Sequence, residues 1–119
     1  MPRQMIDRVW VIVAVVVVAA VVMGAASEVR YLRYMVELEP PARYSHPYDG
    51  PVDERVMPLA EVRALCASVG ASGPFVACAW VSDGVCYIVL PNNGRAPVSI
   101  YRRHEVAHCN GWPENHPRG

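Results

Sequence analysis

The chain has 119 residues, in which eleven arginines balance eleven acids and neither lysine nor threonine occurs. That length allows one soluble domain at most, and the zero net charge leaves no basic footprint, so nucleic acid is excluded as a partner. The abundance of Arg, Ala, Val, Gly and Pro is what a GC-rich bacterial genome encodes.

Val9–Ala26 (VWVIVAVVVVAAVVMGAA) carries no charge and is almost wholly aliphatic. A helix needs about 20 apolar residues to cross a bilayer, and Ile6 extends the run towards that. Trp10 stands at one end, where interfacial aromatics are common. The rest of the chain is too short to surround such a helix, so residues 1–26 are expected to be a short cytoplasmic N-terminus and a transmembrane signal anchor. Gly24 and Ala26 suit a signal-peptidase cut before Ser27, but the run exceeds a signal peptide's usual h-region of about 7–15 residues. An uncleaved anchor is therefore expected. Arg3 and Arg8 on one side face Arg30 and Arg33 on the other, so charge does not orient it.

The cysteines supply the orientation. Cys66, Cys78, Cys86 and Cys109 are even in number and all follow the apolar run. A small domain short of core is often held by disulfides where the compartment is oxidising. This implies a single-pass inner-membrane protein whose C-terminal part lies in the periplasm or otherwise outside the cytoplasm. A cytosolic zinc knuckle is disfavoured by the lack of any C-x-x-C pair. Four cysteines allow three pairings, and the spacing does not choose among them.

Beyond the anchor, Ser27–Val36 keeps an apolar face through Val29, Leu32, Met35 and Val36, as a stalk helix would, until Pro40-Pro41 stops it. Residues 39–58 carry five prolines among charges and tyrosines and read as a linker or extended arm. Residues 27–56 are thus stalk and linker, and a compact domain is expected over 57–119. Within it, Pro58–Val69 has the proline start, the early Glu61 and the Leu59/Val62/Cys66/Val69 stripe of a helix ended by Gly70. Phe75–Val81 and Val85–Leu90 are β-rich runs around Ser82-Asp83-Gly84, a hairpin signal. From about Pro97 a helical pattern returns. The fold class expected is α+β.

That last helix carries RHEVAHCNGWPENHP, Arg103–Pro117. His104 and His108, four residues apart, project from one helix face about one turn apart. This spacing lets both imidazoles bind one Zn²⁺ while Glu105 stands beside it as a general base. Cys109 diverges by about 100° from its neighbour His108 and is expected to face the core in a disulfide.

The H-E-x-x-H of His104–His108 resembles the signature of the zincin metallopeptidases, and Gly111 stands where the metzincin branch turns its active-site helix away. The resemblance implies a zinc-dependent peptide hydrolase with a peptide or protein substrate. It places a third ligand at Glu114, whereas His116 lies two residues further on. Ligand preference favours His116 as the third metal ligand, with Glu114 as the alternative. No methionine turn follows, so a reduced zincin-like core of helix, hairpin and active-site helix is expected, similar to small membrane-anchored proteins of bacteria and phages. The family also implies that the strand before the active-site helix, Tyr87–Leu90, is an edge that pairs with substrate. Tyr101, Asn110 and His46 are candidate oxyanion donors. The competing reading is a non-catalytic, zinc-stabilised or structural interaction module of a secretion, conjugation or lysis system.

Overall fold

The structure is a computed structural model that describes residues 2–71 and 75–118. Its longest element is helix α1, Arg3–Leu38, a single uninterrupted helix in which the apolar run and the expected stalk merge. Valines are mediocre helix formers in water, but in an apolar medium the helix is one of few ways to satisfy every backbone group. None of its most apolar window is buried by protein, and its mean hydropathy of 2.9 makes it long and apolar enough to cross a membrane. Leu38 ends it, just before Pro40 and Pro41.

The chain forms two compact units, Met1–Val36 and Glu37–Gly119. The second is a mixed α+β unit. A 3₁₀ turn (Ala42–Tyr44) leads to strand β1 (Val52–Met57), helix α2 (Leu59–Ser68), strands β2 (Cys78–Ser82) and β3 (Val85–Pro91), and helix α3 (Val98–Cys109). The domain thus begins twenty residues earlier than the expected boundary at 57, because the stretch expected as linker is part of the fold. Val52–Met57 pairs in parallel with β3, Val52 opposite Cys86 through Met57 opposite Pro91. Charged Asp53, Glu54 and Arg55 hid this strand, since its place is won by backbone pairing at a solvent-facing edge, where such residues are tolerated. Pro51 and Pro58 flank it, outside the ladder they would interrupt.

The β2–β3 hairpin forms as expected, with Ser82 opposite Val85. Asp83 (φ 51°) and Gly84 (φ 76°) occupy the left-handed conformations that a two-residue turn of this kind demands. Helix α2 receives a hydrogen bond at its start from Leu59 N–H to Asn93 Oδ1 at 2.7 Å. Gly70 (φ 89°) closes it, with Ala71 N–H donating to the Cys66 carbonyl.

Strand order is β1-β3-β2, so β3 is central. This overturns the expectation that Tyr87–Leu90 is an open edge: its backbone is engaged on both sides, by β1 and by β2. Alternation along β3 then serves two layers. Cys86 bonds Cys109 of α3 on one face, while Val89 packs with Val62 and Cys66 of α2 and with Cys78 on the other.

The pairing that the spacing left open is Cys66–Cys78 and Cys86–Cys109, one bridge tying each helix to the sheet. Arg102 of α3 adds a forked contact to the Glu54 carboxylate of β1, with Nη2 to Oε2 at 3.0 Å and Nε to Oε1. Those hydrogen bonds, and then the guanidinium charge, hold the Glu54 carboxyl below its ordinary 4.5 against a desolvation that acts the other way.

Replacing Cys86 and Cys109 together by alanine is expected to lower unfolding free energy by about 3 kcal/mol, read from denaturant titration of the full chain in detergent. Glu54→Gln is expected to cost about 0.5 kcal/mol at pH 7, as for other half-exposed pairs. Because the folded pKa is depressed, this stabilisation is complete above 4.5 and disappears as pH falls through the lower folded value. The variant and the wild type should therefore converge in acid.

Candidate metal centre

Pro97 precedes α3 and suits a helix start. Tyr101, His104 and Glu105 are buried on the inner side of α3, with His108 one turn beyond His104. Arg102 and Arg103 lie on the exposed side, and Arg103 Nη1 bonds both carboxylate oxygens of Glu39 at 2.9 and 3.1 Å.

The helix ends as the glycine spacing predicts. Gly111 (φ 101°) donates to the His108 carbonyl, and Trp112 N–H donates to that of Ala107, each at 3.0 Å. This double closure turns the chain back over the helix it has just left. Trp112 is almost fully buried, stacked on His108 with ring centroids 5.0 Å apart and edge-on to His104 at the same distance. Its indole N–H donates to the Pro117 carbonyl at 3.0 Å and ties residues 112–117 into a loop. Within the loop His116 adopts φ 54°, an uncommon conformation for a residue with a side chain, and its ring returns to the helix.

Three imidazoles meet there. His108 Nε2 is 3.2 Å from His104 Nε2 and 3.0 Å from His116 Nε2. One nitrogen from each of the three lies within 4.8 Å of the others. The opposite nitrogens of two rings are committed: His104 Nδ1 donates to the Leu38 carbonyl at 2.8 Å, and His108 Nδ1 to the Trp112 carbonyl at 2.7 Å. A carbonyl only accepts, so each Nδ1 must carry the proton. In the neutral ring, Nε2 is then a bare lone pair aimed at its neighbours.

Electrostatics favour the neutral forms of His104, His116 and Glu105. Burial pushes His104 down to about 4, opposed by the Leu38 carbonyl and reinforced by His108, His116 and Arg118. His116 is lowered as well, again chiefly by burial. Glu105 is pushed up to about 8, first by burial and then by the Glu114 charge.

This donor set fits a transition metal. Lone pairs facing one another at 3.0–3.2 Å repel unless a cation lies among them. Ligand bonds of about 2.0–2.1 Å in a tetrahedron would set neighbouring nitrogens about 3.3 Å apart, close to the two separations at His108, and all three nitrogens lie within 4.8 Å. Three imidazoles suit zinc, copper, iron or nickel.

Of the two candidates for third ligand, the structure groups His116 with the pair. Glu114 is largely exposed, and its Oε1 lies 4.0 Å from His108 Nδ1, the nitrogen already given to the Trp112 carbonyl. Glu105 is buried next to His104 and takes no part in the cluster of nitrogens. Cys109 is in its disulfide.

The three candidate oxyanion donors are otherwise engaged. Tyr101 Oη accepts from Ala96 N–H at 3.2 Å, and its ring lies so close to Gly94 that a Cβ there would meet it at 2.7 Å. Asn110 Nδ2 donates to the carbonyls of Tyr44 and His46 at 2.9 and 2.6 Å, pinning the 42–46 loop to the end of α3. His46 is exposed, with Nδ1 at 2.9 Å from the Pro47 carbonyl.

Trp112 and the carbonyls of Leu38 and Trp112 itself were not foreseen as parts of the site. The tryptophan had a signal, because an apolar residue just past a helix-ending glycine commonly packs back on the last turn. A backbone carbonyl 66 residues away had none. No protein-family model, curated protein or solved structure matches this chain.

His116→Ala is expected to weaken zinc binding by more than the roughly 10–100-fold typical of an outer-sphere change. Glu114→Ala should leave affinity within about tenfold. Competition against a chromogenic chelator measures both.

Proposed function

We propose that the protein is a membrane-anchored, zinc-dependent peptide hydrolase acting outside the cytoplasm. The observation that carries this reading is the three-imidazole cluster with a buried carboxyl, Glu105, one residue beyond the first imidazole. Zinc held by these three imidazoles would supply Lewis acidity.

The remaining roles belong to the chain. His104, His108 and His116 hold the metal, and the Leu38 and Trp112 carbonyls keep the first two rings in the right tautomer. Glu105 is the general base. Burial makes its carboxylate strongly basic, while a cation at the imidazoles acts in the opposite sense. These opposed effects suit a group that takes a proton from water near neutral pH and returns it to a leaving amine. The scaffold resembles a reduced zincin core in its active-site helix and Gly111 turn. It departs in having β3 central, so no substrate role is assigned to Tyr87–Leu90.

The two disulfides favour an oxidising compartment, which supports a reading with the C-terminal unit on the periplasmic side of a bacterial inner membrane and the N-terminus inside. The continuous helix through Ser27 supports an anchor that is retained.

A second reading has its own observation. His104 is only 5% exposed and Trp112 covers two of the rings, as in a closed structural zinc site within an interaction module. There a metal at the three imidazoles would serve stability alone.

One variant separates the two. For the hydrolase, Glu105→Gln keeps stoichiometric zinc and lowers the cleavage rate of an unstructured peptide by about 100-fold or more. For the closed site, neither wild type nor variant cleaves the peptide, and removing zinc lowers the thermal midpoint of both. Metal analysis and fluorogenic-peptide assays on one preparation give both answers.

A further inference from the structure

The imidazole cluster is tied to the first residues of the compact unit, 37–39. His104 Nδ1 bonds the Leu38 carbonyl, Arg118 Nη2 bonds the Glu37 carbonyl at 2.6 Å, and Arg118 Nη1 bonds that of Glu39 at 2.7 Å. Arg103, next to the first imidazole, grips the Glu39 side chain. Residues 37–39, where α1 ends and the compact unit begins, are thereby gripped from both ends of the site segment, α3 and the C-terminal tail. The His104 ring touches the Leu38 carbonyl through one nitrogen and presents the other to the cluster. The centre thus lies one imidazole width from residue 38.

This changes the reach of the site. A proline-rich tether over residues 27–56 would have let the domain sample a large volume. Instead only residues 27–36 separate the uncharged run ending at Ala26 from the compact unit. Residues 27–38 are helical throughout and rise about 18 Å. Even pulled fully straight, they would extend no more than about 40 Å. The headgroup layer accounts for about 5–8 Å of that on each side of a bilayer. These limits follow from the chain itself, whichever way the domain is turned.

From this we infer that the substrates are juxtamembrane: extended segments of other membrane-inserted polypeptides, cut close to where they leave the lipid. An extended strand climbs about 3.3 Å per residue, so a target's backbone passes 18 Å after about five or six residues. Scissile bonds are therefore expected within about ten residues of the target's own apolar span. Two proteins confined to one bilayer, with sites at matched height, meet at high effective concentration, and a site carried far above the surface does not. The inference rests on the hydrolase reading and on α1 spanning the membrane.

The test uses the full chain, zinc-loaded, in proteoliposomes with single-span reporters. A cleavable unstructured segment is set 5, 15, 30 or 60 residues from the reporter's span by Gly-Ser spacers. Cleavage is expected to fall by about tenfold or more between the shortest and the longest spacer. A 20-residue Gly-Ser insertion after Ser27 should flatten that profile, and detergent, which removes the shared surface, should do the same. A wild-type profile that is flat in liposomes overturns the inference while leaving the hydrolase in place. Failure to cleave any reporter, or the same free segment as a soluble peptide, overturns the hydrolase reading and this inference with it. Glu105→Gln marks the zero.

Discussion

Two backbone carbonyls determine what the histidines of this protein are able to do. By accepting the Nδ1 protons of His104 and His108, Leu38 and Trp112 leave Nε2 of each ring as a lone pair and aim it inward. Without that bond an imidazole rotates and changes tautomer freely, and a pair of histidines on a helix is only a pair of weak bases. With it, the two rings have one orientation, and His116 joins them with its Nε2 3.0 Å from that of His108, which is 3.2 Å from that of His104. The carbonyls come from opposite ends of the domain, so the site exists only when the whole unit has folded.

The rest of the unit serves to hold α3 still between those carbonyls. Below α3, the Cys86–Cys109 bridge fastens its last residue to the central strand. Along its flank, Arg102 reaches Glu54 on β1 and Arg103 reaches Glu39. At its end, Gly111 reverses the chain, and Trp112 lies across both imidazoles. So small a unit buries too little apolar surface to be held by its core alone, and covalent bridges make up the difference. A metal at the histidines adds to the same account, since it binds only the folded arrangement.

Burial also sets the charge state. His104 and Glu105 are shielded from water side by side, and desolvation disfavours the charged form of each: it lowers the imidazole and raises the carboxyl. The outcome favours a neutral His104 beside a strong potential base, Glu105. Such an arrangement is costly for stability and is found where chemistry or a cation makes use of it.

Patterns that depend on near neighbours were legible in the residues themselves. The uncharged valine run, the Asp83-Gly84 turn, the α2 stripe ending at Gly70, the four-residue step from His104 to His108 and the reversal at Gly111 all appear as read. Helical and strand periods, and glycine's tolerance of positive φ, act over a few bonds and leave their mark locally. What the tertiary structure alone decided are matters of distant surfaces meeting. Among them are the pairing of four cysteines, the recruitment of the charged segment Val52–Met57 as an edge strand, and the central place this gives β3. The grouping of His116, and not Glu114, with the histidine pair belongs with these, as does the contact of His104 with Leu38, 66 residues away. A backbone carbonyl is the same in every residue. Only the packing that brings one within 2.8 Å of an imidazole can make it part of a metal centre.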